Sequence, residues 1–501
     1  MRDEGYMQQQ EVPEILKSKG ISAEAVEALS RFKGEPAWLA EKRLDAWRAF
    51  EKLPMPSLRD EAWRYTDISD VRIEDFLPYA PSPDVSSEVD LPEAVQRLIE
   101  EGEENSALLV QHNSETAYSR IDEELSRKGV VFTDLHTALE EHEEIVQEHL
   151  FKLVPEDYDK FAALSAAAFS GGSFLYVPRG VDVEIPIQSY RWLDVIGSIM
   201  PRTLVVVEEG ASVTYIDEYA SADDEEPAFS NGAVELFVGE GANLRYVSLQ
   251  NWERNVLHFN TIRSFTEKDA TINSLVISLG SQLSRTNVEA GLTAPGSDSE
   301  MLGLYFADSN QVIDHHTLQD HISPNAHSDL LYKGALRDES LTVFSGLIRV
   351  EPGAQKTDAY QTNRNVILGT DEAFAVSLPN LEIMADDVKC SHGSTTGQVD
   401  ETELFYLMSR GIPRREAEKL VVFGFFGEIT SRVPLKGLRR SSTGPSRVRS
   451  AWSSTSGRPR RDARVPQAGK GRRGRLRRGE TVPGRGASGG VVQRGRRALR
   501  L

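Results

Sequence analysis

A repeat of 27 to 31 residues constrains the fold of this chain more than any other feature of its sequence. Each unit starts with Gly, Asn or Asp and continues into a short segment of alternating character. These three residue types tolerate a left-handed backbone, so each unit is predicted to begin at a turn and to run into a strand. The seven units begin at Gly180, Gly210, Gly241, Asp269, Gly296, Asn325 and Gly353.

A fixed period of this size, built from strands without intervening helices, is typical of a β-helix. We therefore predict a mainly β protein with a parallel β-helix core over residues 161–395. The rungs of such a fold stack on one another, which leaves open sheet edges at its ends. Those edges must be capped by the chain or paired with another protein.

Helical patterns flank the repeat on both sides. Residues 1–160 are predicted to form a mainly helical region, because AWLAEKRLDAWRAFEKL carries a broad apolar face, although ALLVQH and GVVFTDL have the character of short strands. The helical period returns after Asp400, a predicted N-cap, and Pro413 starts a second helix. We assign residues 396–440 to a C-terminal helical region, which packs on the body of the protein or binds a partner.

Charge is distributed unevenly along the chain. Residues 441–501 contain 17 Lys and Arg against 2 Asp and Glu, which leaves 40 against 75 for residues 1–440. The acidic body repels phosphate, which argues against nucleic-acid binding by the folded part. The tail has 11 glycines and is predicted to be disordered. It is either an Arg/Gly-type RNA-binding arm or a stretch of frameshifted sequence, and its composition favours the second interpretation.

The cysteine count and the apolar runs bear on the cellular compartment. One cysteine excludes an intrachain disulfide, and the start MRDEGYMQQQEV has no apolar signal segment, so we expect a cytoplasmic protein. No apolar run reaches the ~18 residues that cross a bilayer, so we expect no membrane association. Phosphate-binding loops, dinucleotide fingerprints and HExxH motifs are missing, so ATP chemistry would have to come from another protein.

The segment DDVKCSHGSTTGQ holds the single cysteine, Cys390, with His392 two residues later. In a strand the two side chains lie on one face, where they could be two metal ligands, a nucleophile with its base, or two packed side chains. No oxyanion-hole motif accompanies them, which disfavours a protease-like role. Iron–sulfur clusters need about four protein ligands, mostly cysteine, so this chain could only share one with another protein.

Two further segments are candidates for function. DHHTLQDH places Asp314, His315, His316, Asp320 and His321 close together in sequence, as a metal site or as exposed turns and hydrogen-bonded rungs. The last helix carries more apolar residues than one face needs, so the excess is predicted to pack on the body or on a partner.

Several long segments resemble the SufB/SufD family of iron–sulfur cluster assembly scaffolds. They include EAWRYTDI, GSFLYVPRGVDVEIPIQ, DHHTLQDH, FSGLIRV and LEIMADDVKCSHGSTTGQVDETELFYLMSRG. Together the similar segments cover most of residues 50–432, and ADDVKCSHG resembles the SufD branch rather than SufB.

The resemblance implies a right-handed parallel β-helix between helical ends and a non-enzymatic scaffold role. It also implies a complex with a SufB-like paralogue and a SufC-type ATPase. By this resemblance, His392 lies at the interface with the SufB-like subunit, with Cys390 beside it, and a transient iron–sulfur cluster is shared there. The ATPase would dock on the last helix, at Leu420, Phe423, Phe425 and Phe426. The alternatives are a β-helix enzyme acting on polysaccharide and a structural protein in which His392 only packs.

Overall fold

The structure is a computed structural model that describes residues 12–82, 92–93, 95–96, 105–194, 197–369 and 372–432. The chain divides into two compact units, residues 1–461 and 462–501, and every described residue belongs to the first. The predicted Arg/Gly-rich tail lies outside the described residues. Among the described helices, none is long and apolar enough to cross a membrane.

The core is a parallel β-solenoid of about eight turns, which confirms the predicted fold class. Each turn contributes one strand to each of two sheets. In spatial order, the first sheet contains β2 (Glu115–Ile121), β1 (Ala107–His112), β5 (Ile187–Leu193), β8 (Ser212–Ser221), β10 (Asn243–Asn251), β12 (Thr271–Ser278), β14 (Asp298–Ala307), β16 (His327–Arg337), β18 (Asp358–Leu368) and β20 (Lys389–Gln398). The second contains β3 (Val131–Asp134), β4 (Gly172–Val177), β7 (Arg202–Val207), β9 (Ala228–Val238), β11 (Val256–Thr266), β13 (Leu283–Leu292), β15 (Val312–His321), β17 (Leu341–Val350) and β19 (Phe374–Ile383), with β6 (Ser198–Ile199) beside β9.

Neighbouring strands are parallel except at the N-terminal end of each sheet. There β2 pairs antiparallel with β1, and β3 pairs antiparallel with β4. The strands predicted at ALLVQH and GVVFTDL are therefore β1 and β3, at the N-terminal end of the two solenoid sheets. Strands β2 and β3 cover the N-terminal edges that a β-helix would otherwise leave open.

The predicted left-handed turns are present at six of the seven repeat starts. Gly241, for example, has φ 67° and Asn325 has φ 58°. The prediction for Gly353 is wrong by three residues. His327 pairs with Asp358, which places Lys356, with φ 62°, at the position equivalent to Asn325. The last interval is thus 31 residues, and an exposed lysine occupies the turn.

The space between the two sheets is apolar towards one side of each turn and polar towards the other. A continuous cluster of aliphatic and aromatic residues fills the apolar part, with Tyr305, Tyr332 and Phe344 near its C-terminal end. The polar part includes a fully buried ion pair between Arg191 and Asp217. Burial of such a pair is tolerated only with further partners, and the Arg191 guanidinium also donates to hydroxyl groups nearby.

Helices pack at the N-terminal end of the solenoid and on the outer face of the second sheet. They are α1 (Ala23–Phe32), α2 (Ala37–Lys52), α3 (Glu123–Arg127), α4 (Leu135–Glu141), α5 (Glu143–His149) and α6 (Lys160–Ala168), with short 3₁₀ turns at Glu14–Lys17, Glu61–Trp63 and Ile73–Asp75. Arg43 of α2 is fully buried. It forms an ion pair with Glu35 and donates to the carbonyl oxygens of Ala167 and Phe169, which joins α2 to the end of α6. The Arg43 charge holds the pKa of Glu35 well below its usual range, against the effect of burial.

Two helices follow the solenoid: α7 (Glu401–Ser409) and α8 (Arg414–Arg432). Asp400 caps α7 by accepting a hydrogen bond from the Thr402 amide at 2.7 Å, as predicted. Helix α8 lies across the outer face of the first sheet, where Ile429 joins a cluster of aliphatic side chains from five successive strands. The buried ammonium group of Lys333 forms an ion pair with Glu428 at 2.5 Å and holds the helix on the sheet.

The turn assignment can be tested with two glycine variants. Gly241 has a left-handed backbone and Gly353 does not, and added methyl groups would have open space at both positions. We expect Gly241→Ala to lower the free energy of unfolding by about 1 kcal/mol, because only the backbone conformation is strained. Gly353→Ala should stay within about 0.5 kcal/mol of the wild type. Urea denaturation measures both, and equal losses would contradict the assignment.

Candidate functional site

The C-terminal end of the solenoid is open. Strand β19 ends the second sheet and β20 ends the first, and each has a neighbour on one side only within the described part of the chain. Their inward-facing side chains line an end that no further turn covers. This end carries the predicted pair Cys390 and His392, since both belong to β20.

The register of β20 on β18 defines the surroundings of the pair. Cys390 lies beside Ala359 and His392 beside Gln361, and both side chains are on the inward face of the sheet. Cys390 is half-buried against aliphatic residues of the last turns, including Ile348 and Val350. Burial, with a smaller contribution from the Asp358 charge, raises the pKa of its thiol.

His392 is exposed at the rim of the open end. Within the described residues its imidazole has no hydrogen bond or ion pair, so both ring nitrogens are accessible. Gln361, one turn deeper, is 1% exposed, and neither its amide nitrogen nor its amide oxygen has a partner within the described part of the chain. Gly346 faces it across the interior and leaves room for the amide. Nothing in the local sequence distinguishes Gln361, because only the register places it beneath His392.

Cys390 and His392 form no complete metal site by themselves. Among the described residues, no group of three or more His, Cys, Asp or Glu side chains is arranged to hold a metal ion. A metal or cluster at this end would need ligands from another molecule. The arrangement can supply one accessible imidazole and one partly shielded thiol.

The DHHTLQDH segment forms most of strand β15, and its polar residues lie on both faces of the strand. His315 and His321 point into the solenoid, where the His315 ring accepts or donates a hydrogen bond at Ser278 (3.0 Å) and the His321 ring does so at Ser328 (2.8 Å). His315 also packs against Tyr305, with ring centres 5.0 Å apart. These two histidines are therefore hydrogen-bonded residues of the solenoid interior.

The outward residues of β15 form ion pairs. Asp314 accepts a hydrogen bond from Arg285 at 2.5 Å and contacts His316 at 3.1 Å, and Asp320 forms a two-pronged ion pair with Arg349. The Arg285 charge holds the pKa of the buried Asp314 carboxyl far below its usual range, in spite of burial. Of the two interpretations of this segment, the hydrogen-bonded rung is the one the contacts support.

The EAWRYTDI segment has a structural role that sequence reasoning missed. Thr66 donates a hydrogen bond to Asp314 at 2.6 Å, and the ring of Trp63 lies under the Arg285 guanidinium at 3.8 Å. Arg285 also donates to the Ala62 carbonyl oxygen. The buried ion pair Arg285–Asp314 therefore fastens the N-terminal region onto the outer face of the solenoid.

The predicted docking residues of α8 are not equally accessible. Phe426 is 2% exposed and packs on the solenoid, so a second protein could reach it only after α8 had left the sheet. Phe425 is partly covered and lies against Lys333, with the ammonium 4.8 Å from the ring centre. Phe423 is half-buried, and Leu420 is exposed.

Helix α7 adds an apolar surface that the sequence analysis did not single out. Phe405 is 71% exposed and Tyr406 57% exposed, and Met408 is also exposed. Such values for large apolar side chains are typical of surfaces that bind another protein.

Comparison with known proteins agrees with this architecture. The family model for the SufBD core domain of the SUF system of iron–sulfur cluster assembly matches residues 194–425, and the model for the SufBD N-terminal region matches residues 27–189. This chain belongs to the SufBD family. Similar curated proteins are the iron–sulfur cluster assembly SufBD family proteins of Staphylococcus haemolyticus and Staphylococcus epidermidis. Each is 31% identical over 441 residues, which cover 85% of this chain and 92% of the relative. A Staphylococcus aureus relative is 31% identical over 432 residues, covering 83% of this chain and 90% of the relative.

Membership of the SufBD family supports a role in iron–sulfur cluster assembly, as the resemblance implied. The relatives are named as assembly proteins, which is consistent with a scaffold. In this SufBD protein, the contacts of β15 hold the fold together. The open end at β20 is instead exposed to solvent.

The buried histidines predict a loss of stability in mild acid. Burial lowers the pKa of His315 and of His321 to about 4. As the pH falls, the unfolded chain binds protons at these histidines first, near pH 6.5. The full free energy of unfolding is therefore present above that pH, and it decreases as the pH falls towards 4. We expect each histidine to cost on the order of 2 kcal/mol at pH 5.

Urea denaturation at pH 7.5 and pH 5 tests this expectation. His315→Gln should lose less stability than the wild type between the two pH values, because it has one buried imidazole fewer. His392→Gln, at the exposed end, is the matched control and should retain the pH dependence of the wild type. The same loss in all three proteins would contradict the prediction.

Proposed function

We propose that this SufBD protein is the SufD-like, non-enzymatic subunit of a scaffold that builds iron–sulfur clusters in the cytoplasm. It pairs through the open end of its solenoid with a SufB-like paralogue. A nascent cluster, which is the cargo of the complex, forms between the two subunits. The observation that carries this proposal is the position of Cys390 and His392 on the last strand of the first sheet, which has a neighbour on one side only within the described residues.

The chemistry of the pair supports a shared site with His392 as the main ligand. A cluster needs about four protein ligands, and the chain contributes one cysteine. The raised pKa of Cys390 disfavours the thiolate, which is the form that binds metals. His392 is exposed and can bind iron through a neutral ring nitrogen. The remaining ligands come from the SufB-like subunit.

The ATPase of the complex docks on the C-terminal helices. Phe405 and Tyr406 of α7 and Leu420 of α8 offer an exposed apolar surface, while Phe426 belongs to the attachment of α8. ATP hydrolysis by a SufC-type subunit could then act on α7 and α8 and, through the Lys333–Glu428 pair, on the first sheet. This sheet ends in the strand that bears His392.

The cluster assignment is tested by replacing His392. The chain is co-expressed without oxygen with a SufB-like paralogue and a SufC-type ATPase, and iron and acid-labile sulfide are measured in the purified complex. We expect His392→Ala to reduce both severalfold, since one accessible ligand is lost. Ser391→Ala, on the other face of the same strand, is the matched control and should keep the wild-type contents. Equal iron and sulfide contents in the two variants would mean that His392 has a packing role only.

The docking surface is tested by Phe405→Ser. We expect it to weaken binding of the SufC-type ATPase at least tenfold, because removing a large aromatic anchor from an interface commonly costs 2 kcal/mol or more, roughly. Ile322→Ser changes an exposed apolar residue of the solenoid, 43% exposed, and should leave binding unchanged. Both are measured by titration calorimetry. Unaltered binding by Phe405→Ser would exclude α7 from the interface.

A further inference from the structure

The side chain of Gln361 is buried in the solenoid without a hydrogen-bond partner. It is 1% exposed, and within the described residues neither its amide nitrogen nor its amide oxygen has a partner. Buried polar groups in folded proteins are almost always hydrogen-bonded, so an amide with both ends unpaired lowers the stability of the free chain. Exceptions of this kind are expected at functional sites.

The apolar groups around this amide offer it nothing to bond. Gln361 pairs in register with Leu330 on the side of the solenoid interior, and Gly346 faces the amide from the opposite sheet. Ala359, two residues earlier on the same face of β18, belongs to an aliphatic cluster. A methyl group on Gly346 would lie 2.5–2.6 Å from the amide atoms, so the glycine makes the space that the amide fills.

The next polar residue on the same face of β18 already has its partners. Asn363 donates to the Tyr305 hydroxyl at 2.9 Å, and its amide oxygen accepts a hydrogen bond from Asn365 at 2.8 Å. Tyr305 in turn donates to the Asn365 amide oxygen at 2.7 Å. These three side chains therefore satisfy one another without Gln361.

His392 is the neighbour of Gln361 on the side of the open end. It pairs in register with Gln361, and its side chain is on the same face of the sheet. Neighbouring strands lie about 4.8 Å apart, a distance that a glutamine amide and an imidazole can bridge with a hydrogen bond. The His392 ring is exposed and makes no hydrogen bond within the described part of the chain. A buried amide that needs a partner thus lies directly beneath an imidazole that is free to provide one.

We propose that Gln361 is a positioning residue for His392: its amide oxygen accepts a hydrogen bond from one ring nitrogen and leaves the lone pair of the other for iron. This proposal rests on the proposed function, in which His392 is a cluster ligand. A neutral imidazole carries one N–H, so an acceptor at one nitrogen decides which nitrogen can bind metal. Metal-binding histidines commonly have such a partner, which also fixes the orientation of the ring. The bond forms when the exposed ring turns towards the interior.

An amide can hold the ring at this depth without adding a charge. A carboxylate in the same place would be costly to ionise, because it would be buried. Once ionised, it would favour the protonated imidazole, which has no lone pair for a metal. Glutamine supplies the acceptor and keeps the ring neutral.

Two glutamine variants of the full chain test this role. Gln361→Met keeps the length of the side chain and removes the amide. Gln319→Met is the matched control, because Gln319 is also buried in the solenoid but donates to the Ser328 hydroxyl at 2.7 Å. Each chain is purified alone for thermal unfolding. Each is also co-expressed without oxygen with a SufB-like paralogue and a SufC-type ATPase, and iron and acid-labile sulfide are measured in the complex.

We expect the stability and the cluster content of Gln361→Met to respond differently. The free chain should unfold at the wild-type temperature or above it, because an apolar group replaces an unpaired amide. Iron and sulfide in the complex should fall at least threefold, because the His392 ring is no longer held. Gln319→Met should unfold below the wild-type temperature and keep the wild-type contents.

Three results would overturn the positioning role. They are a lower unfolding temperature of the free Gln361→Met chain, wild-type iron and sulfide in its complex, and an equal loss of iron and sulfide in Gln319→Met. The first would mean that the amide is a structural group of the fold. The last would mean that the polarity of the interior matters, rather than the position beneath His392.

A double variant shows whether Gln361 acts through His392. If it does, adding Gln361→Met to His392→Ala lowers the iron and sulfide contents no further than His392→Ala alone. An additional loss would show that Gln361 acts independently of the histidine. Wild-type contents in His392→Ala would refute the proposed function itself. A loss in His392→Ala without a loss in Gln361→Met refutes only the positioning role.

Discussion

In-register stacking of parallel strands is the constraint on which the rest of this structure depends. Each turn satisfies its backbone hydrogen bonds only through the turns above and below it, so the first and last turns must be completed by something else. At the N-terminal end, the antiparallel strands β2 and β3 do this within the chain. At the C-terminal end, β19 and β20 have no further strand beside them within the described residues, and the proposed site of function lies there.

Some polar residues of the solenoid hold the fold together, whereas others remain accessible to solvent. Arg285 and Asp314 lie on the outer face, where they bind the N-terminal segment through Thr66 and Trp63. Lys333 holds α8 in the same manner on the other sheet. His392 has no such partner within the described residues. The chain therefore fastens both helical regions to the solenoid and leaves one histidine exposed on the edge where a second subunit is proposed to bind.

Local chemistry explains which features could be predicted and which could not. Left-handed turns require Gly, Asn or Asp at most positions, so the period and the β-helix were readable from the sequence. At the last turn Gly353 satisfied the pattern, but pairing of His327 with Asp358 placed Lys356 in the turn instead. For the DHHTLQDH segment the sequence left two interpretations open, for a related reason. Residue types identify possible ligands, whereas the two faces of a strand decide which of them can meet.

By itself, the sequence determined the mainly β solenoid, the helical regions beside it, and the pair Cys390 and His392 as a candidate site, because these follow from turn chemistry, periodicity and the supply of one cysteine. The tertiary structure alone decided the accessibility of each group. It buried Phe426, exposed Phe405, and placed beneath His392 the Gln361 amide, which has no partner among the described residues.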